Sequence, residues 1–395
     1  MKKLLFVFLG LFSASSTAQA ADDPLLKVFD VACRSNPRNN IMLSPWGIQQ
    51  CLGMLVGGAE KSAITQFETV LGLNMQNRKE LREARLSLEK VKAGYNSFNA
   101  VLSDRKHILK KCFIQDVTHF FGGQHYCLDF ARNAESAAFL NDIIKRKSRN
   151  MFDNVFTPQD FSGDAAMILL NVLYFKNVWL DPFSKNSTCK ERFMTPSASK
   201  FESIHHSQVD MMNDTKSVPY YNDGKFHGVI LDYADERFKM LVLTTVKMSS
   251  SLGSVTRKLA QKGVQHFVRN SSCKNKTRIK LPKLQLGSAV DLKPLLSSMG
   301  LKEIFNPQKS TLSVIQEGDA LYVKQIRQLV KLSLNESETE VAAITYAAPA
   351  PGARPSRKQI TYNNFYADHP FVLVLFDSQT QAILLTAAVI HPESK

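Results

Sequence analysis

The sequence lacks most features of an enzyme or a membrane protein. Its 395 residues contain no Gly-x-Ser-x-Gly nucleophile elbow and no His-Glu-x-x-His zinc motif. Beyond residue 20, no apolar run is long enough to cross a bilayer, and no repeat period indicates a solenoid or propeller. With 44% apolar and 22% charged residues, the composition excludes wholesale disorder, collagen and coiled coil. We therefore expect a globular chain that is not an enzyme.

Cysteine is scarce, and its pattern predicts no metal site. The six cysteines are widely spaced and form no Cys-x-x-Cys pair, so disulfides and buried free thiols both stay open. His119, His125 and Cys127 lack the spacing of helix or finger ligands, as do His205 and His206. We expect no metal and no cofactor.

The N-terminus predicts secretion. Lys2 and Lys3 precede the apolar run Leu4 to Phe12, and Ala18-Gln19-Ala20 follows. This pattern is typical of a signal peptide cut after Ala20, and the run is too short for a membrane span. We expect residues 1–20 to be the signal peptide and residues 21–395 to be an extracellular, monomeric protein that binds neither membrane nor nucleic acid.

Acidic residues are few, and glycosylation sequons are several. The chain has 35 Asp and Glu against 50 Lys and Arg, a net charge of +15. Five Asn-x-Ser/Thr sequons favour a glycosylated product. They begin at Asn186, Asn213, Asn270, Asn275 and Asn335.

Helices are predicted early in the chain and strands later, which indicates an α+β class. The predicted helices span Ile48–Leu55, Ser62–Leu73, Asn77–Tyr95, Asn133–Asn150 and Asp291–Gly300. The predicted strands include Ala166–Phe175, Val229–Tyr233, Met240–Val246, Ile279–Leu286, Val330–Leu334, Phe371–Phe376 and Ala382–Ile390.

One segment fits neither helix nor strand. Tyr346–Tyr362 contains three prolines and offers Arg354, Arg357 and Lys358 to proteases. A long loop without its own structure is usually functional or disordered.

Several motifs resemble those of the serpin family. They are Asn40-Ile-Met-Leu-Ser44-Pro45, the segment Asn171–Trp179, and above all the signature Phe365-Tyr-Ala-Asp-His-Pro-Phe371. The resemblance covers nearly the whole mature chain. It implies a single domain over residues 21–395, with about nine helices around three β-sheets and an exposed reactive-centre loop at about 336–364.

The resemblance also implies a mechanism. A serine protease attacks the loop as a substrate, and the cut loop then inserts as a new strand into the central sheet. The protease is trapped in a covalent complex, and the inserted form is more stable than the native, kinetically held one.

The hinge of the loop is compatible with insertion. Since side chains alternate along a strand, Thr339, Val341, Ala343 and Thr345 share the inward side, and all are small or β-branched. The opposite parity would bury Glu338 and Glu340. The hinge residues are Glu336, Glu338, Thr339, Glu340, Val341, Ala342, Ala343 and Thr345.

Departures from the family pattern leave a second interpretation open. In the sheet-opening region Ser44 and Asn171 match the family, but Gln328 replaces its His and Gly47 its second Ser. Glu338 stands where inhibitory members have Gly. Because glycine eases the turn that starts insertion, Glu338 is expected to slow it. The alternative is a non-inhibitory serpin with a binding or immunomodulatory role, whose loop is cleaved only as a substrate.

The position of the scissile bond differs with the way it is counted. Spacing from Glu336 places it at Gly352–Ala353, whereas counting back from Pro370 places it near Gln359. Alanines favour an elastase-like target, and basic residues favour a trypsin-like one. The candidates are Gly352, Ala353, Arg354, Arg357 and Lys358.

A polyanion site is predicted on one helix. Arg78, Arg82, Arg85 and Lys92 fall at helical spacing in the region that resembles the serpin helix that binds heparin in some members. Because Glu80, Glu83 and Glu89 interrupt this face, an ordinary solvated helix is the alternative.

Overall fold

The computed structural model describes most of the chain but not residues 338–360 of the predicted reactive loop. The described residues are 23–91, 94–148, 150–162, 167–195, 205–248, 251–309, 311–312, 315, 321–337 and 361–392. The expected signal peptide, the hinge from Glu338 to Thr345, all five scissile-bond candidates and Lys92 therefore lie outside the described residues.

Eight α-helices form within the described residues. Several begin at a side-chain cap, such as Asp23 or Ser44, with proline in the first turn. Gly263, with a φ of 70°, bends α7, so its two arms bring the number to the nine expected. The helices are α1 (Pro24–Ser35), α2 (Pro45–Val56), α3 (Lys61–Leu71), α4 (Arg78–Glu89), α5 (Lys111–Phe121), α6 (Asn133–Lys147), α7 (Leu252–Arg269) and α8 (Lys293–Ser298).

Fifteen strands of the described chain form three sheets. The first seven are β1 (Ile41–Leu43), β2 (Tyr95–Asp104), β3 (Gln124–Leu128), β4 (Met167–Phe175), β5 (Cys189–Thr195), β6 (His205–Lys216) and β7 (Tyr220–Asn222). The others are β8 (Phe226–Asp232), β9 (Phe238–Thr245), β10 (Thr277–Pro282), β11 (Leu284–Asp291), β12 (Val323–Leu334), β13 (Asn363–Tyr366), β14 (Phe371–Asp377) and β15 (Ile383–Val389). The five-stranded sheet has the order β11-β12-β4-β2-β3, the six-stranded sheet β1-β15-β14-β9-β8-β7, and the four-stranded sheet β13-β10-β6-β5.

The five-stranded sheet is covered on both faces. Ile168, Leu170 and Val172 of β4 pack in one cluster with Leu140 and Ile144 of α6. Helix α2 lies against β4 and β2 on the other face. Double coverage explains why β4 is an almost unbroken apolar run. Within the five-stranded sheet, β4 is antiparallel to β2 but parallel to β12.

Two sequence predictions need correction. The helix expected over Asn77–Tyr95 ends at Glu89, and Tyr95 begins β2, whose polar residues concealed a strand. The single strand expected over Ile279–Leu286 is two strands, β10 and β11, which belong to different sheets. Lys283 separates them. The C-terminal hairpin of β14 and β15 is confirmed.

Two searches of the described part gave negative results. No described helix is long and apolar enough to span a membrane. Within the same residues, no group of three His, Cys, Asp or Glu side chains is placed to hold a metal ion.

Candidate functional site at the opening of the five-stranded sheet

A buried hydrogen-bond network joins the parallel strands β4 and β12. Gln328 on β12 lies opposite Asn171 on β4, and its Nε2 donates to Asn171 Oδ1 at 3.0 Å. The same amide donates to the Ser44 carbonyl at 3.0 Å, while Ser44 N–H donates to Gln328 Oε1 at 2.9 Å. All three side chains are fully buried. The three predicted sheet-opening residues therefore form one cluster, which we call the gate.

The gate contains a fourth residue that the sequence did not reveal. Asn171 Nδ2 donates to Asn99 Oδ1 on β2 at 2.8 Å, and Asn99 lies directly opposite Asn171 in the sheet. Asn99 is 5% exposed. Asn99 lies four residues beyond the helix predicted over Asn77–Tyr95, in a stretch for which the sequence predicted no element.

Gly47 makes room for the gate. Its N–H donates to Ser44 Oγ at 2.9 Å, which caps α2. A Cβ atom at position 47 would lie 2.1 Å from Asn171 Oδ1, far inside van der Waals contact. The glycine is thus a steric requirement of the position that Asn171 occupies.

The start of the reactive loop is held by Glu336, the first hinge residue. Its carbonyl accepts from Phe183 N–H at 2.9 Å, and its carboxylate accepts from Thr188 Oγ1 at 2.8 Å and pairs with Lys283 at 3.2 Å. Burial raises the pKa of Glu336, but hydrogen bonds from its own backbone and from Thr188, together with Lys283, outweigh this and hold the pKa below its usual value. The charged carboxylate therefore anchors the chain just before the loop.

Trp179 contacts the chain at the end of β12, immediately before Glu336. Its indole Nε1 donates to the Asn335 carbonyl at 2.9 Å, and its ring stacks on Tyr233 with centroids 4.4 Å apart. The tryptophan of the second motif thus fixes the last backbone carbonyl before Glu336.

The far end of the loop is attached to another sheet. Strand β13 follows the loop and pairs in parallel with β10 of the four-stranded sheet. Thr361 Oγ1 donates to Asn275 Oδ1 at 3.2 Å, and Asn363 N–H donates to the Lys276 carbonyl at 2.9 Å. The loop consequently connects the five-stranded sheet to the four-stranded one.

The signature that follows the loop is a packing element. Phe365, Ala367 and Phe371 are fully buried. The His369 ring lies 2.7 Å from Asp368 Oδ1 and 3.0 Å from the Thr245 carbonyl, which links the signature to the end of β9.

The predicted polyanion residues of α4 are largely engaged within the protein. Arg78 pairs with Asp116 at 2.8 Å and lies over the Phe120 ring. Arg82 and Arg85 both donate to the His119 carbonyl at the end of α5, and Arg85 also pairs with Glu89 at 2.6 Å. Arg82 and Arg85 help to neutralise the negative end of α5, so some N–H groups of all three arginines are engaged before any ligand binds.

The sequons differ in accessibility. Asn186 and Asn270 are exposed, whereas Asn275 and Asn335 are half-buried. Asn213 Nδ2, the atom that a glycan would modify, donates to Glu191 Oε1 at 2.9 Å and to the Met211 carbonyl at 3.1 Å.

The six cysteines are free in this structure. Cys33 and Cys51 are buried, and burial raises the pKa of both thiols. The four exposed ones are Cys112, Cys127, Cys189 and Cys273.

Comparison with known proteins identifies the family to which this chain is similar. The model of the family described as Serpin (serine protease inhibitor) matches residues 20–392. The chain is 25% identical to glia-derived nexin of Mus musculus over 96% of its own length and 95% of that protein. It is 24% identical to plasminogen activator inhibitor 1 of Sus scrofa, over 96% and 93% of the two chains.

A solved structure agrees in fold. The crystal structure of native protease nexin-1 with heparin superposes with a TM-score of 0.82 at 23% identity, covering 95% of this chain and 98% of that one. The family match over nearly the whole chain shows that it belongs to the serpin family, whose inhibitory members, such as plasminogen activator inhibitor 1, are protease inhibitors and not enzymes.

Proposed function

We propose that this protein is a secreted inhibitor of a serine protease that works by cleavage of its 336–364 loop and insertion of the cut strand between β4 and β12. The observation that supports this proposal most strongly is the relative direction of β4 and β12. They are parallel neighbours, and the loop leaves the carboxyl end of β12. A strand that turns back from there runs antiparallel to both, so one parallel pair becomes two antiparallel pairs, which are the more stable kind.

The gate supports this proposal. Insertion has to part Gln328 from Asn171, whose side chains meet at 3.0 Å across the two strands. Gln328 contacts both Ser44 and Asn171, which supports the amide as a substitute for the family's histidine. The close approach of Gly47 to Asn171 gives the glycine a packing role in the gate, which supports the inhibitory interpretation.

Glu338 still favours the non-inhibitory alternative. A charged residue at the turn that begins insertion lacks glycine's freedom, and slower insertion lets the protease complete hydrolysis. On this alternative the protein is a binding or immunomodulatory serpin that proteases cut without being trapped.

The target is proposed to be trypsin-like or elastase-like. Arg357 and Lys358 are the basic candidates without a following proline, since Pro355 follows Arg354. Ala353 suits an elastase-like enzyme. Secretion through the signal peptide 1–20, with glycans at the more accessible sequons Asn186 and Asn270, completes the proposal.

A heparin-like polysaccharide is proposed as a second partner. Support comes from the net charge of +15 and from the structural neighbour that was crystallised with heparin. The α4 arginines are its first predicted location.

The decisive experiment is incubation with trypsin, chymotrypsin and pancreatic elastase, analysed on denaturing gels with mass spectrometry of the released peptide. A covalent band of the combined mass establishes inhibition, and the peptide mass gives the scissile bond. Cleavage by all three proteases without any such band contradicts inhibition of these enzyme classes.

A further inference from the structure

Strand β11 is the longest edge strand of the three sheets in the described part of the chain. Its eight residues pair with β12 in one continuous register, from Leu284 opposite Leu334 to Asp291 opposite Arg327, without a bulge. On its other side β11 has no strand neighbour among the described residues. A long, regular edge of this kind is a template for pairing with another chain.

The other edge strands have the protection that β11 lacks. β1, β3, β7 and β13 are only three to five residues long. β5 is longer but carries the exposed cations Lys190 and Arg192. Short length, charge and proline are the usual means of blocking an edge, whereas the run Leu284–Val290 contains neither a charged residue nor a proline.

The outer side of β11 is not engaged by the described chain. Its residues make no backbone hydrogen bond to described residues outside the sheet. Such bonds occur only just before and just after the strand, from Lys283 N–H to the Asp210 carbonyl at 2.8 Å and from Leu292 N–H to the Ile326 carbonyl at 2.9 Å. At the middle of the strand, a Cβ atom on Gly287 would have no atom within 4 Å. The strand is therefore open to a further neighbour.

The sequence of β11 is complementary to itself when two copies run antiparallel. With Gly287 opposite Gly287, Lys283 of one copy lies opposite Asp291 of the other, and this pair occurs twice. Because side chains alternate along a strand, both charges share the face of the exposed Gly287. The remaining pairs each match a larger side chain with a smaller one: Leu284 with Val290, Gln285 with Ala289, and Leu286 with Ser288.

Both charges are available for such a pair. The Lys283 side chain is 39% exposed and pairs with Glu336 at 3.2 Å, which leaves further N–H donors on its ammonium group. Asp291 Oδ1 accepts from the N–H groups of Lys293 at 3.0 Å and Ile326 at 3.1 Å, which fixes the carboxylate in place. Opposite charges directly across two strands stabilise their pairing.

We propose that two copies of this protein associate through β11, antiparallel about a two-fold axis at Gly287. The partner is a second copy because one edge supplies both members of each charge pair, as a two-fold interface requires. Pairing would join two five-stranded sheets into one of ten strands. It goes beyond the proposed function and does not depend on it, since neither cleavage nor insertion of the loop is involved.

The dimer is expected to be weak. Two eight-residue edges bury less surface than a standard stable interface, so the monomer that the sequence predicts should prevail in dilute solution and the dimer should appear as the concentration rises. Sedimentation equilibrium of the full mature chain over a wide concentration range measures the Kd. About 0.15 M salt screens the repulsion between two strongly basic copies.

The first test places like charges on the two-fold axis. In Gly287→Lys two lysines would face each other, which destabilises a strand pair, while the open space at Gly287 lets the monomer fold. Ala131→Lys adds the same charge at an exposed residue outside the sheets. Melting curves verify that both fold. We expect the Kd of the dimer to rise at least tenfold in Gly287→Lys and less than threefold in the control.

The second test reads the register. In a background with Ser at the four exposed cysteines, Cys112, Cys127, Cys189 and Cys273, Gly287→Cys should form an intermolecular disulfide. Opposed Cα atoms lie about 4.5–5.5 Å apart in an antiparallel pair, within disulfide range. Gln285→Cys alone should not, because it lies roughly 14 Å along the strand from its own copy. Mixing Gln285→Cys with Ala289→Cys should restore the cross-link.

Three outcomes would overturn the proposal. A single monomer mass at every concentration, together with no faster cross-linking of Gly287→Cys than of Gln285→Cys, would show that β11 does not self-associate. Equal changes of Kd in Gly287→Lys and Ala131→Lys would assign the association to net charge. A dimer that is lost when the loop is cleaved, but kept in Gly287→Lys, would place the interface on the loop.

Discussion

Gly47 is the residue whose missing side chain matters most to the gate. A Cβ there would lie 2.1 Å from Asn171 Oδ1, and overpacking of this kind costs about 1–3 kcal/mol. We expect Gly47→Ser to lower the thermal midpoint of the native protein at a fixed scan rate. Gly253→Ala is the control, since the nearest atom to its Cβ is Ser251 Oγ at 3.5 Å. Equal midpoints for the two variants would contradict the steric account.

His227 makes the native state sensitive to pH. Burial, and then repulsion from His369, lower its pKa to about 4, so the unfolded chain binds a proton between pH 6.5 and 4 that the folded chain excludes. The free energy of unfolding is therefore unaffected by His227 above pH 6.5. It decreases as the pH falls towards 4, by about 3 kcal/mol in all.

His227→Gln tests this effect. Its thermal midpoint should change less between pH 7 and pH 4.5 than that of the parent protein, because the variant has no imidazole to protonate. A parallel decrease in the two proteins over this range would contradict the assignment.

At the scale of elements, Gln328 holds β4 and β12 together. Replacing it with Leu leaves the Ser44 N–H and Asn171 Oδ1 without their partner, while the Ser44 carbonyl keeps its bond from the Ile48 N–H. Each buried unsatisfied group costs about 1–3 kcal/mol. We expect Gln328→Leu to lower the thermal midpoint and to speed amide hydrogen exchange in both strands.

Gln325→Leu is the control on the same strand. Gln325 is also buried, but its Oε1 accepts only a long hydrogen bond, at 3.4 Å, from Arg327 on the same strand, so the change should be milder and should leave exchange in β4 unaltered. Faster exchange in β4 for both variants would mean that Gln328 has no special role in the gate.

The ion pair of Glu336 and Lys283 fixes the start of the loop. Because Lys283 is 39% exposed, we expect Lys283→Met to cost only about 1–2 kcal/mol at pH 7. The folded-state pKa of Glu336 is lowered, so its stabilisation is present above the ordinary carboxylate pKa and disappears as the pH falls below about 4.

The difference between parent and Lys283→Met should therefore shrink below pH 4. Lys283→Met, Glu336→Gln should recover part of the loss at pH 7, since it removes the unpaired charge. A deficit that is constant from pH 7 to pH 3.5 would show that packing of the lysine stem, not charge, is responsible.

Elements with a regular apolar period were predictable from sequence, and elements lined by amides were not. Helices α2 and α3 and the C-terminal hairpin follow their periods. β2 was missed because Asn96, Ser97 and Asn99 interrupt its pattern. Asn99 has a function only because β4 places Asn171 opposite it, a relation between distant parts of the chain that no local pattern contains.

The same limit applies to the loop anchor. Glu336 was identified from the family pattern, but its partners Thr188 and Lys283 come from other strands and connections. By contrast Ser44, Asn171 and Gln328 were predicted together, since the resemblance assigns all three positions to the sheet-opening region.

At the scale of the whole molecule, the proposed mechanism requires the five-stranded sheet to open between β4 and β12. β4 and β12 are paired directly, and the loop between β12 and β13 connects two sheets. Release of one loop end by cleavage should let the hinge fill the space between the parallel strands, with Thr345 inward and Ile344 outward on the predicted parity.

The most direct measurement is the thermal midpoint before and after loop cleavage, for the parent protein, Thr345→Arg and Ile344→Arg. We predict a large rise on cleavage for the parent and for Ile344→Arg, whose charge stays in solvent. Thr345→Arg should show little or no rise, because insertion would bury an unpaired charge. No rise in the cleaved parent protein, or equal rises in all three, would contradict insertion of the loop between β4 and β12.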